Sequence, residues 1–230
     1  MQPVDPATLL RKSDELWLLQ FNAKNCGNRM GVLATFLKAL NLSEQWKLPH
    51  IVALQDPGCD NFSWNHLSSA GYGLWNQHLI HADMTMEDGT TRHSSPGCGH
   101  VAFLIHNSIE TDSWLVKEVA GSGGLAATLT LKLASGSVIR IHKAYNRRNL
   151  LDVSKTLGSC NRGSDTLLGD LNLHHPRWGG PGVEAEPGAR DLIALVQERG
   201  MVCVNHIGKL RQLFVFFPLP LFLAQARPVV

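Results

Sequence analysis

The sequence predicts an α/β (α+β) protein, a four-layer sandwich of two mixed β-sheets flanked by helices. Two observations support this prediction. Near the N-terminus, short apolar runs typical of buried strands alternate with a segment of helical periodicity. In the middle of the chain, several strand patterns follow one another with Gly- and Ser-rich turns between them. Helical and hairpin segments combined in this way suit two packed sheets flanked by helices.

The N-terminal elements are predicted from the spacing of apolar residues and from turn-forming residues. Leu16 to Phe21 is predicted to be the first strand and Ile51 to Leu54 the second, which Asp56-Pro57-Gly58 stops. Between these strands, Asn28 is a candidate N-cap of a helix. The apolar face of that helix is predicted to consist of Val32, Leu33, Phe36, Leu37 and Leu40.

The remaining elements are predicted in the same way. A polar loop from Ala82 to Gly97 precedes the central strands. Those strands are predicted at Val101–Ile105, Trp114–Val119, Ala127–Leu133 and Val138–Lys143. A strand at Thr166 to Leu168 follows, then a helix from Pro187 through Arg199 that Gly200 closes, and a strand at Met201 to Val204.

The composition is that of an ordinary globular protein. Of the 230 residues, 44% are hydrophobic and 17% are charged, and the formal net charge is +2. That charge neither requires nor excludes a nucleic-acid partner, whose binding needs a local basic cluster. Arg147-Arg148 is the compact basic pair beside a candidate site residue, although such a pair is more often a solvated loop.

The five cysteines favour a reducing compartment. They are scattered and show no Cys-x-x-Cys spacing, which argues against a zinc site and against a secreted disulfide scaffold. Met1 to Glu15 is polar and lacks the apolar core of a signal peptide, and no stretch of 18 apolar residues is present to span a membrane. We therefore expect an intracellular protein, nuclear or cytoplasmic, without a membrane partner.

The candidate chemistry is concentrated where the predicted strand at Thr166 to Leu168 ends. Gly169 follows that strand, and then come Asp170 and Asn172. Residues two apart on a strand share a face, so the carboxylate and the amide are expected to converge on one spot. The carboxylate can orient a water, hold a metal or accept a proton, and the amide can donate to an oxyanion. The alternative is a strand-end turn, because Gly, Asp and Asn are all turn formers.

The residues that follow favour the functional interpretation. Together with Gly169 to Asn172, the run from His174 to Gly179 resembles the Gly-Asp-Phe-Asn-x-His-His-x-x-Trp-Gly signature of the endonuclease domain of LINE-type (non-LTR) retrotransposons. Those domains belong to the endonuclease/exonuclease/phosphatase (DNase-I-like) superfamily. Leu18 to Asn22, Ile51 to Pro57 and Ile139 to Asn146 resemble other segments of the pattern, in the same order. The resemblance implies hydrolysis of a phosphodiester bond in DNA.

The resemblance implies roles for five residues. Asn22 and Asp56 stand where the family holds a divalent cation, Mg²⁺ with Mn²⁺ as a substitute, although Asp56 is one methylene shorter than the family's Glu. Tyr145 resembles the tyrosine that hydrogen-bonds the scissile phosphate. Asp170 resembles the residue that orients or deprotonates the attacking water, and Asn172 the one that steadies the phosphorane charge. Turn, cap or core-edge roles stay open for Asn22, Asp56 and Tyr145.

The histidines are interpreted as structural. His174 and His175 are adjacent, so in an extended segment they face opposite ways and cannot both line one site. We expect them to make loop hydrogen bonds, with Trp178 as a packing or DNA-edge aromatic. The other histidines considered are expected at loop or strand surfaces: His81, His93, His100, His106 and His142.

The C-terminal part departs from the family pattern. That pattern continues to a Ser-Asp-His turn, whose His is the key catalytic imidazole held by an acidic partner, and neither residue is present after Gly208. Leu213 to Leu223 is instead an apolar run with two prolines, which resembles a truncated or frame-shifted end. The predicted organisation is a disordered tail at 1–15, the endonuclease-like domain at 16–208 with its last strands missing, and an atypical apolar tail at 209–230.

Three functions remain open. The first is a Mg²⁺-dependent endonuclease of a retrotransposon polyprotein that nicks DNA, with weak or no activity because the imidazole is missing. The second is a non-catalytic remnant that keeps part of the fold and at most binds nucleic acid. The third is a relative that acts on small phosphoesters, such as inositol phosphates or sphingomyelin. The His-His-Pro-x-Trp-Gly run favours the first over the third. DNA is the expected partner, and no protein partner is inferred.

Overall fold

The computed structural model of the chain describes residues 16–23, 27–42, 48–58, 75–79, 83–85, 91–93, 99–133, 135–147, 150–158, 160, 165–201 and 222–225. The strands in this part are β1 (Trp17–Asn22), β2 (Ile51–Gly58), β3 (Trp75–Leu79), β4 (Asp83–Thr85), β5 (Thr91–His93), β6 (Gly99–His106), β7 (Trp114–Glu118), β8 (Ala126–Lys132), β9 (Val138–Tyr145), β10 (Asp165–Asp170) and β11 (Phe222–Gln225). The α-helices are α1 (Gly27–Leu42), α2 (Val153–Gly158), α3 (Pro176–Gly179) and α4 (Pro187–Glu198).

The strands form two large sheets and one short hairpin. The first sheet has the order β11-β1-β2-β6-β3, the second has the order β10-β9-β8-β7, and β4 pairs with β5. Both large sheets are mixed: β1 is parallel to β2 and β11 while β6 is antiparallel to β2, and β10 is parallel to β9 while β8 is antiparallel to β9. The predicted architecture of two mixed sheets with helices outside is confirmed.

The core is divided into three apolar clusters that correspond to the interfaces between four layers. The cluster between the two sheets includes Leu18, Ile51, Phe103, Ile141 and Leu168. A second cluster packs α1 against the outer face of the first sheet, and a third packs α4 against the outer face of the second. Because side chains alternate along a strand, each strand points one set of residues between the sheets and the other set to the outer face of its sheet.

Helix α1 differs from its prediction in two respects. It begins at Gly27, so Asn28 lies inside the helix and is not its N-cap. Val32 is 52% exposed, and the fully buried face consists instead of Met30, Leu33, Ala34 and Leu37. Packing against β1 and β2 therefore selects a face rotated from the one that the apolar spacing predicted.

The second strand does not stop at Asp56. β2 continues to Gly58, with an irregularity in its pairing to β6 between Gln55 and Gly58, which is a bulge rather than a strand end. The segment predicted as a loop from Ala82 to Gly97 contains the β4–β5 hairpin.

Several predicted segments near the two ends of the chain lie outside the described residues. This holds for the tail at 1–15, for the strand at Met201 to Val204 beyond its first residue, and for the tail at 209–230 except β11. β11 pairs with β1 at the edge of the first sheet. No helix in the described part of the chain is long and apolar enough to cross a membrane.

Candidate active site

The C-terminal ends of β1, β2, β9 and β10 lie at one rim of the sandwich. Asn22 ends β1 in the first sheet and Asp170 ends β10 in the second. Asn22 Nδ2 donates to Asp170 Oδ2 at 3.5 Å, across 148 residues of sequence. Both sheets therefore contribute polar side chains to the same place, and the two residues fall well within the reach of one small ion or phosphate.

Asn172 reaches this rim by a route that strand alternation did not predict. β10 ends at Asp170, and Asn172 has a left-handed backbone (φ 48°) in the turn that follows. Its backbone N–H donates to Asp170 Oδ1 at 3.2 Å, and its side-chain Nδ2 donates to the carbonyl of Asn146 at 2.8 Å. The contact between the Asn172 N–H and the Asp170 carboxylate is an Asx turn, which orients that carboxylate. The side chain of Asn172 connects this turn to the loop after β9.

Asp56 lies in the bulge of β2 and faces an imidazole. Its backbone is left-handed (φ 45°), a conformation that Asp tolerates better than most residues. Asp56 Oδ1 lies 3.5 Å from Nδ1 of His100, at the start of β6, and Nε2 of His100 lies 3.4 Å from Arg147 Nη1. A guanidinium only donates, so Nε2 is the acceptor and Nδ1–H points to Asp56. The structure therefore contains an acid-held imidazole at the rim.

His100, which was expected at a surface, is partly buried. Its side chain is 21% exposed, and its ring centroid lies 6.1 Å from that of Tyr145. His100 lies next to Asp56 because β6 pairs with β2 across about forty intervening residues. The register that sets His100 beside Asp56 is a long-range property and is not readable from the local pattern.

Tyr145 stands at the end of β9, in register with Asp170 of β10. Burial raises the pKa of its phenol, and the negative charges of Asp56 and Asp170 raise it further, while Arg147 opposes them. The phenol therefore stays protonated around neutral pH and can donate a hydrogen bond to an anion.

A buried polar layer forms the floor of the site. Gln20 Nε2 donates to Gln55 Oε1 at 2.8 Å, and Lys143 Nζ donates to the same oxygen at 2.7 Å. Burial lowers the pKa of Lys143 well below its usual range, and the charge of Asp170 opposes this. Gln20 Oε1 and Gln55 Nε2 are buried without a hydrogen-bond partner among the described residues.

The donor chemistry at the rim fits a hard divalent cation. Asp56 and Asp170 offer carboxylate oxygens and Asn22 an amide oxygen, and Mg²⁺ usually takes one or two protein carboxylates and keeps several waters. No group of three or more His, Cys, Asp or Glu side chains arranged to hold a metal occurs within the residues that the structure describes.

The two adjacent histidines make loop hydrogen bonds, as predicted. His174 Nδ1 lies 3.0 Å from Glu186 Oε1, and its backbone N–H donates to Glu186 Oε2 at 2.9 Å. His175 is the N-cap of α3 and accepts from the backbone N–H of Arg177 at 3.0 Å. These contacts fix the loop between Asn172 and α4. The side chain of Trp178 lies outside the described residues.

Comparison with known proteins gives structural similarity only. No family model and no curated protein matches the sequence. A β-hairpin deletion mutant of beta toxin from Staphylococcus aureus is 12% identical with a TM-score of 0.49, over 95% of this chain and 94% of the other. An endonuclease/exonuclease/phosphatase from Beutenbergia cavernae is 14% identical with a TM-score of 0.46, over 82% and 54% of the two chains.

A third solved structure is sphingomyelinase C from Streptomyces griseocarneus, which is 14% identical with a TM-score of 0.45, over 81% of this chain and 70% of that one. At these identities the similarity concerns the general architecture. It assigns neither a substrate nor a catalytic residue to this chain, so the chemistry must be argued from the site.

Proposed function

We propose that this protein is a Mg²⁺-assisted phosphodiesterase of the endonuclease type, which nicks DNA. The observation that carries the proposal is the contact between Asn22 and Asp170, because it joins the strand ends of two sheets into one polar site. The run from Gly169 to Gly179 resembles the signature of retrotransposon endonucleases. It therefore favours DNA over a small phosphoester as the substrate.

In the proposed mechanism, Asp170 orients the attacking water and accepts its proton. Its two oxygens are held by Asn22 and by the backbone N–H of Asn172, so the carboxylate has a fixed direction. The water oxygen forms the new bond to phosphorus and its proton passes to Asp170, while the bond to the leaving sugar oxygen breaks and that oxygen takes a proton from solvent. Asp56, through Oδ2, and Asn22 are the proposed ligands of Mg²⁺, which when bound neutralises charge on the phosphoryl oxygens.

The other rim residues are proposed to bind the phosphate. Tyr145 donates a hydrogen bond from its protonated phenol to a non-bridging oxygen. Arg147 is exposed beside His100 and adds a positive charge at the entrance. His100, held by Asp56, is proposed to supply the imidazole that the retrotransposon pattern places in its C-terminal segment.

A non-catalytic remnant that binds nucleic acid is the second candidate. The observation that favours it is the contact of the Asn172 side chain, whose Nδ2 is engaged by the carbonyl of Asn146. An amide held in this way braces two loops, and it would have to leave that carbonyl before it could stabilise a phosphorane. On this alternative the chain binds DNA through phosphate contacts and cuts none.

The test is the nicking of supercoiled plasmid DNA with Mg²⁺ or Mn²⁺. We expect slow conversion to the open circle by the wild-type chain and a loss of about 10²-fold or more in Asp170→Ala. Asp191→Ala, a matched change on the exposed face of α4, should leave the rate unchanged. Robust nicking that survives Asp170→Ala would refute the site, and DNA binding without nicking by any variant would favour the remnant.

A further inference from the structure

The outer face of the second sheet is only partly covered by helix. Toward the rim, α4 packs on Ala126, Ala144 and Leu167, which are all buried. Farther from the rim, β7 and β8 make their main contacts with neighbouring strands and with β6 of the first sheet, and no described helix packs closely against them. Leu115 and Val138 are accordingly 51% and 41% exposed. This end of the sheet face is therefore open to solvent in the part of the chain that the structure describes.

The open end of the face carries three cationic side chains and two hydroxyls. They are those of Lys117 on β7, Thr128, Thr130 and Lys132 on β8, and Arg140 on β9. These side chains point away from the first sheet, because the alternate positions Val116, Leu129 and Ile141 belong to the core between the sheets. The two lysines are exposed, and Arg140 and the two threonines are partly exposed. We call these five residues the basic face.

Strand register sets the spacing of the three cations. Thr130 pairs with Arg140, and Lys132 lies two residues farther along β8, so Lys132 and Arg140 are about 8 Å apart between Cα atoms. Lys117 lies two strands from Arg140 with an offset of two residues, a separation of about 12 Å. A nucleic-acid strand carries one phosphate about every 3.4 Å along the helix axis. Cations spaced in this way can therefore each contact a different phosphate of one strand.

The acid nearest to these cations leaves their charge largely uncompensated. Asp165 lies on the same side of the sheet, but its side chain is buried and its carboxylate is shared between His142 and Arg140. Arg140 keeps 36% of its side chain exposed and has further N–H donors. Glu118 faces the opposite way from its neighbour on β7, and its Oε1 accepts from the backbone N–H of Gly124.

The two lysines of the basic face are free to bind an anion. Lys117 and Lys132 form no ion pair with any residue that the structure describes, and the exposed acids Glu110 and Asp112 in the turn before β7 pair with neither of them. The hydroxyls of the threonines between the cations can donate hydrogen bonds to the same anion. The surface is thus complementary in charge to a polyanion.

We propose that the basic face binds the phosphate backbone of a single DNA strand. None of its five residues is aromatic, so it stacks no bases, and its binding is independent of sequence and strongly dependent on salt. The proposal goes beyond the proposed function. The basic face lies on the outside of the second sheet, whereas Tyr145 and Asp170 lie at the rim between the sheets, and it requires neither Mg²⁺ nor hydrolysis.

The test is the fluorescence anisotropy of a labelled single-stranded DNA of about 20 nucleotides and mixed sequence, titrated with the full chain in EDTA at several salt concentrations. The double variant Lys117→Gln/Lys132→Gln is expected to bind about tenfold more weakly at low salt. Its slope of log K against log salt should be smaller by about 1.4, because each phosphate contact to a single strand contributes about 0.7. Circular dichroism establishes that every variant is folded.

Two further double variants serve as controls. Lys38→Gln/Lys155→Gln removes the same net charge from exposed positions on α1 and α2, and it should bind like the wild type. Lys117→Arg/Lys132→Arg keeps the charge of the basic face and should also bind like the wild type. An equal loss of binding in both glutamine variants would assign the effect to net charge and would overturn the proposal.

Three other outcomes overturn the proposal. They are wild-type binding that is unchanged in Lys117→Gln/Lys132→Gln, no binding of the oligonucleotide by the wild type, and binding that is lost in Arg147→Gln alone, which would place the DNA at the rim. Binding to vesicles that contain phosphatidylserine, without binding to the oligonucleotide, would assign the basic face to a membrane surface instead.

The outcome for the proposed function is read separately. Oligonucleotide binding that depends on Lys117 and Lys132, in a chain that nicks no plasmid, would refute the endonuclease and leave the basic face standing. Nicking that depends on Asp170, with oligonucleotide binding indifferent to the two lysines, would do the opposite.

Discussion

His142 Nε2 lies 3.0 Å from Asp165 Oδ2, and both side chains are buried in the second sheet. Thr128 Oγ1 lies 2.9 Å from the other ring nitrogen, and Arg140 Nη1 lies 3.5 Å from Asp165 Oδ1. The imidazole is therefore hydrogen-bonded on both sides across three neighbouring strands. The expectation that His142 lies at a strand surface is wrong, because its side chain is 1% exposed.

Asp165→Ala is expected to lower the free energy of unfolding by about 3–5 kcal/mol. The change removes one partner of a buried pair and leaves His142 and Arg140 without their acceptor. Urea unfolding monitored by circular dichroism measures the effect. Asp112→Ala, at an exposed position of a short turn, is the control and should unfold like the wild type. Equal urea midpoints for Asp165→Ala and Asp112→Ala would show that the contacts of Asp165 with His142 and Arg140 do not stabilise the fold.

Two glycines are expected to respond in opposite directions to alanine. A Cβ at Gly169 would collide with the carbonyl oxygen of Ala144 on the neighbouring strand, so Gly169→Ala should destabilise the fold by about 1–3 kcal/mol. A Cβ at Gly31, inside α1, would meet no atom within 4 Å. Gly31→Ala should therefore stabilise by roughly 0.5–1 kcal/mol through helix propensity.

The two glycine variants are compared by thermal unfolding under the same conditions. Gly169→Ala should melt below the wild type and Gly31→Ala above it. If Gly31→Ala destabilised the fold as much as Gly169→Ala, the glycine at position 169 would not be explained by the close approach of β9 and β10.

Asp56→Glu is expected to tighten Mg²⁺ binding. The longer side chain restores the reach of the Glu that the retrotransposon pattern has at this position. The left-handed backbone at Asp56 disfavours Glu by about 1 kcal/mol, so the same variant should unfold slightly more easily. Calorimetric titration measures the affinity, and Asp56→Asn, which removes the charge, should bind more weakly. Weaker binding by Asp56→Glu would leave Asp56 as a turn residue and partner of His100.

Tyr145 is expected to ionise above the usual range of a tyrosine, because burial and the charges of Asp56 and Asp170 raise its pKa. The chain contains two tyrosines, so the absorbance titration of the phenolate is carried out in a Tyr72→Phe background. Asp170→Asn should move the midpoint back toward 10, the reference value. A titration midpoint at 10 that does not change in Asp170→Asn would show that Tyr145 lies away from the carboxylates.

Local patterns in the sequence predicted the positions of the elements better than they predicted which face of a helix is buried. The strand from Leu16 to Phe21 and the helix from Pro187 were predicted within one or two residues, because apolar spacing and Pro-Gly signals are local. The face of α1 was predicted less well, since Val32 is exposed and Met30 is buried. Which residues of an amphipathic helix are buried depends on the sheet against which it packs.

The site shows the same division. The sequence singled out Asn22, Asp56, Tyr145, Asp170 and Asn172, and the structure places Asn22 at Asp170 and Tyr145 in register with Asp170. It did not single out His100 or Lys143. A buried lysine in a strand and a histidine at a strand start carry no local signal of function, because their neighbours come from distant parts of the chain.

The sequence by itself determined most strands of the two large sheets, the helices α1 and α4, and the chemical groups carried by the strand ends. Hydrophobic periodicity and turn residues act over a few positions, so a single chain is enough to read them. The tertiary structure decided which groups meet: Asn22 with Asp170, Asp56 with His100, and Lys143 with Gln55. These contacts depend on sheet order and strand register, and both are set by pairing between strands far apart in sequence, where a shift of one residue would turn every side chain to the opposite face.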